Sequence, residues 1–168
     1  MQNITPRQAV ATACSSCQLR ANCLPAGIDR DEMVQLEELA SLKRTFRRGE
    51  HLYRCGTPLK SLYAIRTGFF KTQMLHENGM EQVTGFQMAG EIIGMDAIST
   101  NVHTCSAVAL EDSEVCELPF GKLEELGRKL PKLQRHLHII MSREIVRDHG
   151  IMLLLGSMRA EERLAAFL

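Results

Sequence analysis

Phe69-Phe70-Lys71-Thr72-Gln73-Met74-Leu75-His76-Glu77-Asn78-Gly79-Met80-Glu81-Gln82-Val83-Thr84-Gly85-Phe86 is two strand-like runs around an Asn-Gly pair. Both residues of that pair tolerate positive φ, so the stretch predicts a β-hairpin with strands over Phe69–Glu77 and Met80–Phe86. The same reading extends in both directions. From Arg44 to Phe120 short runs are broken by Arg48-Gly49, Cys55-Gly56, Thr67-Gly68, Ala89-Gly90 and Ile93-Gly94, and Thr104–Leu110 and Glu114–Leu118 read as further strands. Strands at this spacing predict a sandwich or barrel that ends at Pro119.

Helical patterns flank the β region. Asp29 and Glu32 have capping-box spacing, and Met33, Leu36, Leu39 and Leu42 recur at helical intervals up to Lys43. Gly121–Leu130 predicts a short helix, and Pro131 opens a long one to about Leu155, roughly 37 Å at 1.5 Å per residue. That length favours a dimerisation element. Leu137, Met141, Ile145, Asp148, Met152 and Leu155 form its coiled-coil-like seam. In a two-fold dimer the seam meets itself, so two Asp148 carboxylates would approach and weaken association; a rotated helix would instead turn Asp148 to solvent. Gly156-Ser157 is expected to break the helix, and Met158–Leu168 to start another with Glu161 and Glu162 in its first turns. The chain stops in mid-pattern and looks cut from a longer protein.

With 168 residues, 45% hydrophobic and 24% charged, the chain has the composition of one globular domain. Lysine plus arginine number 20 and aspartate plus glutamate 20, so no broad electrostatic grip on nucleic acid is encoded in this segment. No apolar run approaches the roughly 20 residues of a membrane span, and Met1–Val10 lacks a signal-peptide core; a cytoplasmic protein is expected. In a reducing cytosol the six cysteines are ligands, core residues or redox groups rather than disulfides. The six histidines show no ligand-spaced cluster and read as surface residues, and no nucleophile constellation or acid–base pair points to an enzyme.

Cys14-x2-Cys17-x5-Cys23 places three thiols on one short stretch of residues 1–28, a turn-rich arm with little periodicity. Thiolates suit zinc, copper(I) and iron–sulfur clusters. Zinc sites usually pair two knuckles, and no second C-x-x-C is present; a cubane cluster takes one thiolate per iron, three from such a loop and one from afar. Ser15 and Ser16 read as small turn residues. Cys55, Cys105 and Cys116 all lie in or beside predicted strands, where cysteine usually behaves as a small hydrophobe, and spacing does not select a fourth ligand among them.

The cysteine loop, Leu59-Lys60-Ser61-Leu62-Tyr63-Ala64-Ile65-Arg66, Gly90-Glu91-x-x-Gly94, Val115-Cys116-Glu117-Leu118-Pro119-Phe120 and Ala160-Glu161-Glu162-Arg163-Leu164-Ala165-Ala166-Phe167 together resemble the oxygen-responsive Fnr branch of the Crp/Fnr transcription regulators. The resemblance implies an α+β fold: a cyclic-nucleotide-binding-like β-roll (a double-stranded β-helix or jelly roll) with an N-terminal cysteine arm and helix and a long C-terminal dimerisation helix. It implies a 4Fe-4S cluster on Cys14, Cys17, Cys23 and Cys116, and a homodimer. It also implies DNA binding through a helix-turn-helix domain absent from this chain, contact with RNA polymerase, and transcription activation under oxygen control. The expected organisation is arm 1–28, helix and β-roll 29–120, short and dimerisation helices 121–155, and the start of a linker and DNA-binding domain at 156–168.

Sister branches of that family bind cyclic nucleotides in the same roll. Here no lysine or arginine occurs between Lys71 and Lys122, whereas Glu77, Glu81, Glu91, Asp96, Glu111, Asp112, Glu114 and Glu117 make the stretch acidic. A buried phosphate would lack a counter-charge. The competing expectation is a zinc-stabilised or metal-free β-roll binding module without redox function.

Overall fold

A computed structural model of the chain describes residues 14, 17–23, 25–40, 42–75 and 79–157. Two antiparallel four-stranded sheets face each other. One has the order β1 (Leu42–Phe46), β8 (Ser113–Pro119), β3 (Ser61–Thr67), β6 (Ile92–Ile93); the other runs β2 (His51–Tyr53), β7 (Ser106–Ala109), β4 (Phe69–Leu75), β5 (Glu81–Met88). The hairpin read from the sequence is β4–β5, paired from Phe69↔Met88 to Leu75↔Glu81 with an irregularity at Thr72/Gln73. Gly79 has the positive φ its turn requires, and Asn78 lies outside the described residues. Between β3 and β4, Gly68 (φ 86°) passes so close to Ser113 that a Cβ there would collide with it.

Two apolar layers result. Phe46, Tyr63, Ile65, Phe70, Ala107 and Val115 fill the space between the sheets. Leu36, Leu39, Leu62, Ala64, Leu123 and Leu133 form a second layer, in which helices cover the outer face of the β3–β8 sheet. Strand β3 therefore has both faces covered, which is why Ser61 to Ile65 are all buried.

The helices are α1 (Arg20–Cys23), α2 (Arg30–Leu39), α3 (Phe120–Lys129) and α4 (Pro131–Ser157). The capping box on α2 is formed: Glu32 N donates to Asp29 Oδ1 at 2.8 Å and Asp29 N to Glu32 Oε2 at 3.0 Å. Lys132, in the first turn of α4, donates to Gly27 O (2.8 Å) and Glu32 Oε2 (3.0 Å), tying the start of α2 to the start of α4. The helical spacing does not extend to Leu42, which belongs to β1, pairs with Glu117 and is 53% exposed. Nor does Gly156-Ser157 break α4, whose 27 residues include both. An interior glycine costs a helix only about 1 kcal/mol relative to alanine, too little to stop one already propagated. The final helix expected over residues 158–168 lies outside the described residues.

Candidate metal centre

Alternation along β8 places the remote thiol. Val115 points between the sheets and is fully buried, so its neighbour Cys116 points the other way, beneath the helices. There Cys14, Cys17, Cys23 and Cys116 line a single cavity of about 60 Å³. Leu36, Leu39 and Leu123 supply apolar wall, and Leu133, His136 and Leu137 bring in the first turns of α4. The loop carrying the other thiols is fixed locally: Cys17 N donates to Cys14 O, and Cys23 N to Leu19 O. Cys23 and Ile28 pack on the second core layer, so the described part of the arm is anchored to the helices. Gly90 (φ 93°) leaves room for Asn22, whose Nδ2 would lie 2.7 Å from a Cβ at that position. Ser15 and Ser16 lie outside the described residues.

Burial pushes the Cys14 thiol up to about 11, with Cys116 and Glu37 adding to it, and the Cys23 thiol up to about 12, with Cys17, Cys116 and Cys14 adding. Cys116 is also raised by burial, opposed by Lys43 and Arg66. The thiols are thus near enough to feel one another. Lys43 stands opposite Cys116 across the β1–β8 pair, and its buried Nζ has no hydrogen-bond partner among the described residues. A buried lysine within electrostatic reach of Cys14 and Cys116 is a counter-charge for thiolates. Four soft donors around one dry cavity, with that cation beside them, fit an anionic thiolate-ligated group. Among the described residues no three His, Cys, Asp or Glu side chains close on a single metal ion.

The remaining cysteines sit elsewhere. Cys105 is buried between the sheets, whereas Cys55 is exposed in a turn rather than acting as a core hydrophobe, with Sγ donating to Thr104 O at 3.4 Å. Two histidines depart from the surface reading. His103 is 3% exposed, stacks on Tyr53 at 3.8 Å between ring centroids and bonds Asp96 through Nδ1 at 3.2 Å. His136 lies half-buried against the backbone of Asn22 and Cys23, and its Nε2 is buried without a partner among the described residues.

Along α4 the seam residues divide. Leu137 lines the thiol cavity, while Met141, Ile145 and Asp148 line a second cavity of about 480 Å³ against the β-roll, together with Tyr53, Gln87 and Asp96. Ile145 is 55% and Met152 61% exposed, and Val146 and Leu153 beside them are also exposed. The side chain of Leu155 is outside the described set. Helical spacing alone shows neither cavity as a feature of α4, because it carries no information on what packs against the helix.

This fold, a two-sheet roll capped by helices with a thiol-lined cavity at the root of a long helix, defines a domain of the cyclic nucleotide-binding class; that family matches residues 43–129. The chain is similar to the transcriptional regulatory protein btr of Bordetella pertussis, 42% identical over 168 residues that cover 100% of this chain and 69% of btr. It is 43% identical over 158 residues to the fumarate nitrate reduction regulatory protein of Klebsiella oxytoca, covering 94% of this chain and 63% of that one. Among solved structures, FixK2 from Bradyrhizobium japonicum superposes with a TM-score of 0.70 and 27% identity, over 75% of this chain and 63% of FixK2. The chain belongs to the Crp/Fnr family of transcription regulators, in its Fnr-type branch. It spans about two thirds of the length of these curated relatives, which are regulators rather than enzymes.

Proposed function

We propose that this chain is the oxygen- and redox-sensing and dimerisation module of a DNA-binding regulator of anaerobic metabolism, holding a 4Fe-4S cluster on Cys14, Cys17, Cys23 and Cys116. The observation that carries this reading is the single cavity shared by those four thiols and by Leu133, His136 and Leu137 of α4. When bound, such a cluster supplies a redox-active, oxygen-labile iron centre. The chain's own residues do the rest. Lys43 balances thiolate charge from beneath, Leu36, Leu39 and Leu123 exclude water, and His136 and Leu137 pass any change in the loop's position to α4.

Helix α4 is the proposed output. Its exposed Ile145, Val146, Met152 and Leu153 suit a second copy of the same helix, and the seam of Leu137, Met141, Ile145, Asp148, Met152 and Leu155 supplies the register. Loss of the cluster then weakens dimerisation. DNA, through a helix-turn-helix domain outside these residues, and RNA polymerase, by family resemblance, are partners of the complete regulator. None of the described helices is long and apolar enough to cross a membrane, in keeping with a cytoplasmic site of action.

Protein purified without air is expected to absorb broadly in the visible, with iron and sulfide at about four each per chain. Air exposure should bleach it, shift sedimentation towards monomer and speed proteolysis within residues 1–28. A colourless protein with one zinc per chain would replace this reading with a zinc-stabilised roll, and equal cutting with and without oxygen would remove the arm from the mechanism.

A further inference from the structure

The 480 Å³ cavity between the β-roll and α4 has the size of a small-molecule site, yet its chemistry opposes the anion that the roll's family name suggests. Among the described residues no lysine or arginine lines it. Its charged residues are Asp96, Glu144 and Asp148. Asp96 is already engaged, accepting from Thr104 N at 2.8 Å and bonding His103. Glu144 shares the Arg147 guanidinium with Glu91, so one cation serves two carboxylates. Asp148 has no ion pair among the described residues. Burial raises the Glu144 carboxyl, Arg147 lowers it, and Asp148 and Glu91 raise it again, so three carboxylates share one guanidinium at this end of the cavity.

A second, independent feature lies in the opposite wall. Gln87 lines the cavity, is 6% exposed, and its Oε1 is buried without a hydrogen-bond partner among the described residues. Buried acceptors are rarely left unanswered, so this one marks a place for a donor. Between the acidic mouth and Gln87 the lining is largely apolar, with Ile92, Met95 and Met141 on its walls.

We propose that this cavity is a binding site for a small organic amine, with an ammonium at Glu144 and Asp148, an apolar body along Met95 and Met141, and a second donor directed at Gln87. The pattern requires hydrogen-bond donors at both ends and no negative charge. A cyclic nucleotide, which carries a phosphate anion, fails the second condition.

Calorimetric titration of the full chain tests this with three probes: 1,6-diaminohexane, adipate as its dianionic counterpart, and cyclic AMP. The diamine is expected to bind saturably at one per chain, while adipate and cyclic AMP give no binding heat. Asp148→Asn should weaken the diamine about ten-fold, the scale of one charge-assisted hydrogen bond. Gln87→Met, which keeps the side-chain volume but removes the acceptor, should weaken it several-fold; Thr84→Val at the same wall replaces it if that variant does not fold. Sedimentation at the titration concentration separates ligand binding from self-association. Cyclic AMP binding as well as the diamine, diamine binding unchanged in the variants, or no diamine binding at millimolar concentration each overturns the proposal.

Discussion

Two cavities flank the same residue and the same helix. Ile92 lines both, and α4 contributes Leu133, His136 and Leu137 to one and Met141, Glu144, Ile145 and Asp148 to the other. The first is small, apolar and ringed by thiols; the second is eight times larger, with carboxylates at its mouth. Roll and helix are shared, but the chemistry differs because one cavity lies outside the β3–β8 sheet and the other is enclosed by the β4–β5 side of the roll. A fold that presents a ligand cavity in its interior here carries its soft donors on the exterior face, reached by a single step of strand alternation at Cys116.

The largest effect separates the cysteines by cavity. Single serine substitutions of Cys14, Cys17, Cys23 or Cys116 are expected to abolish stable cluster binding, whereas Cys55→Ser or Cys105→Ser keeps the visible absorption and the iron content. A Cys116→Ser protein retaining a full cluster would sink the four-thiol assignment.

The thiol cavity's walls are also core. Leu123 is 2% exposed and lines it, so Leu123→Ala should destabilise the metal-free protein by about 2–5 kcal/mol in denaturant titration. Asp148→Ala at the other cavity should leave monomer stability within about 0.5 kcal/mol, as expected for an exposed surface site. A small change at Leu123 would mean that this cavity is already loosely packed.

Much of this division was legible in the sequence. The Asn78-Gly79 pair located the β4–β5 hairpin and Asp29–Glu32 the start of α2, because turn chemistry and capping are local. The three clustered thiols stood out for the same reason. Cys116 did not: its place depends on which face of β8 is covered by helices, a tertiary fact, although the fully apolar Val115 beside it fixes the parity once that covering is known. Gln87 and Asp148 are 61 residues apart, so the sequence carries no sign that they line one cavity. Lys43 gives no signal in the sequence, because a lysine beside a helix end reads as solvated, and only the fold buries its Nζ.

A more modest effect concerns self-association. If α4 pairs with itself along the proposed seam, two Asp148 carboxylates approach one another, and like charges at about 4 Å in a solvated site cost about 1 kcal/mol. Asp148→Ala is expected to tighten the cluster-free dimer roughly five-fold by sedimentation. Unchanged association would leave Asp148 to the roll cavity alone.

The smallest expected effect probes the roll interior without touching the proposed ligands. Cys105 is buried between the sheets, and burial, with Asp96 beside it, pushes its thiol up to about 12. An unfolded cysteine titrates near 8.5. Between those values the folded chain keeps a proton that the unfolded chain has released, so stability falls as pH rises through this window. Tyr53, raised by burial and by the neighbouring Cys105 and Asp96, acts in the same direction at higher pH. The melting temperature should therefore decline from pH 8 towards pH 10.5, and Cys105→Ala should make that decline shallower whatever it does to stability at pH 7. Alkylation gives a second measure: exposed Cys55 should react with iodoacetamide promptly, and Cys105 only as fast as the roll opens. Equal reaction rates for the two thiols would show that reagent reaches Cys105 through the cavity it lines, without opening of the roll.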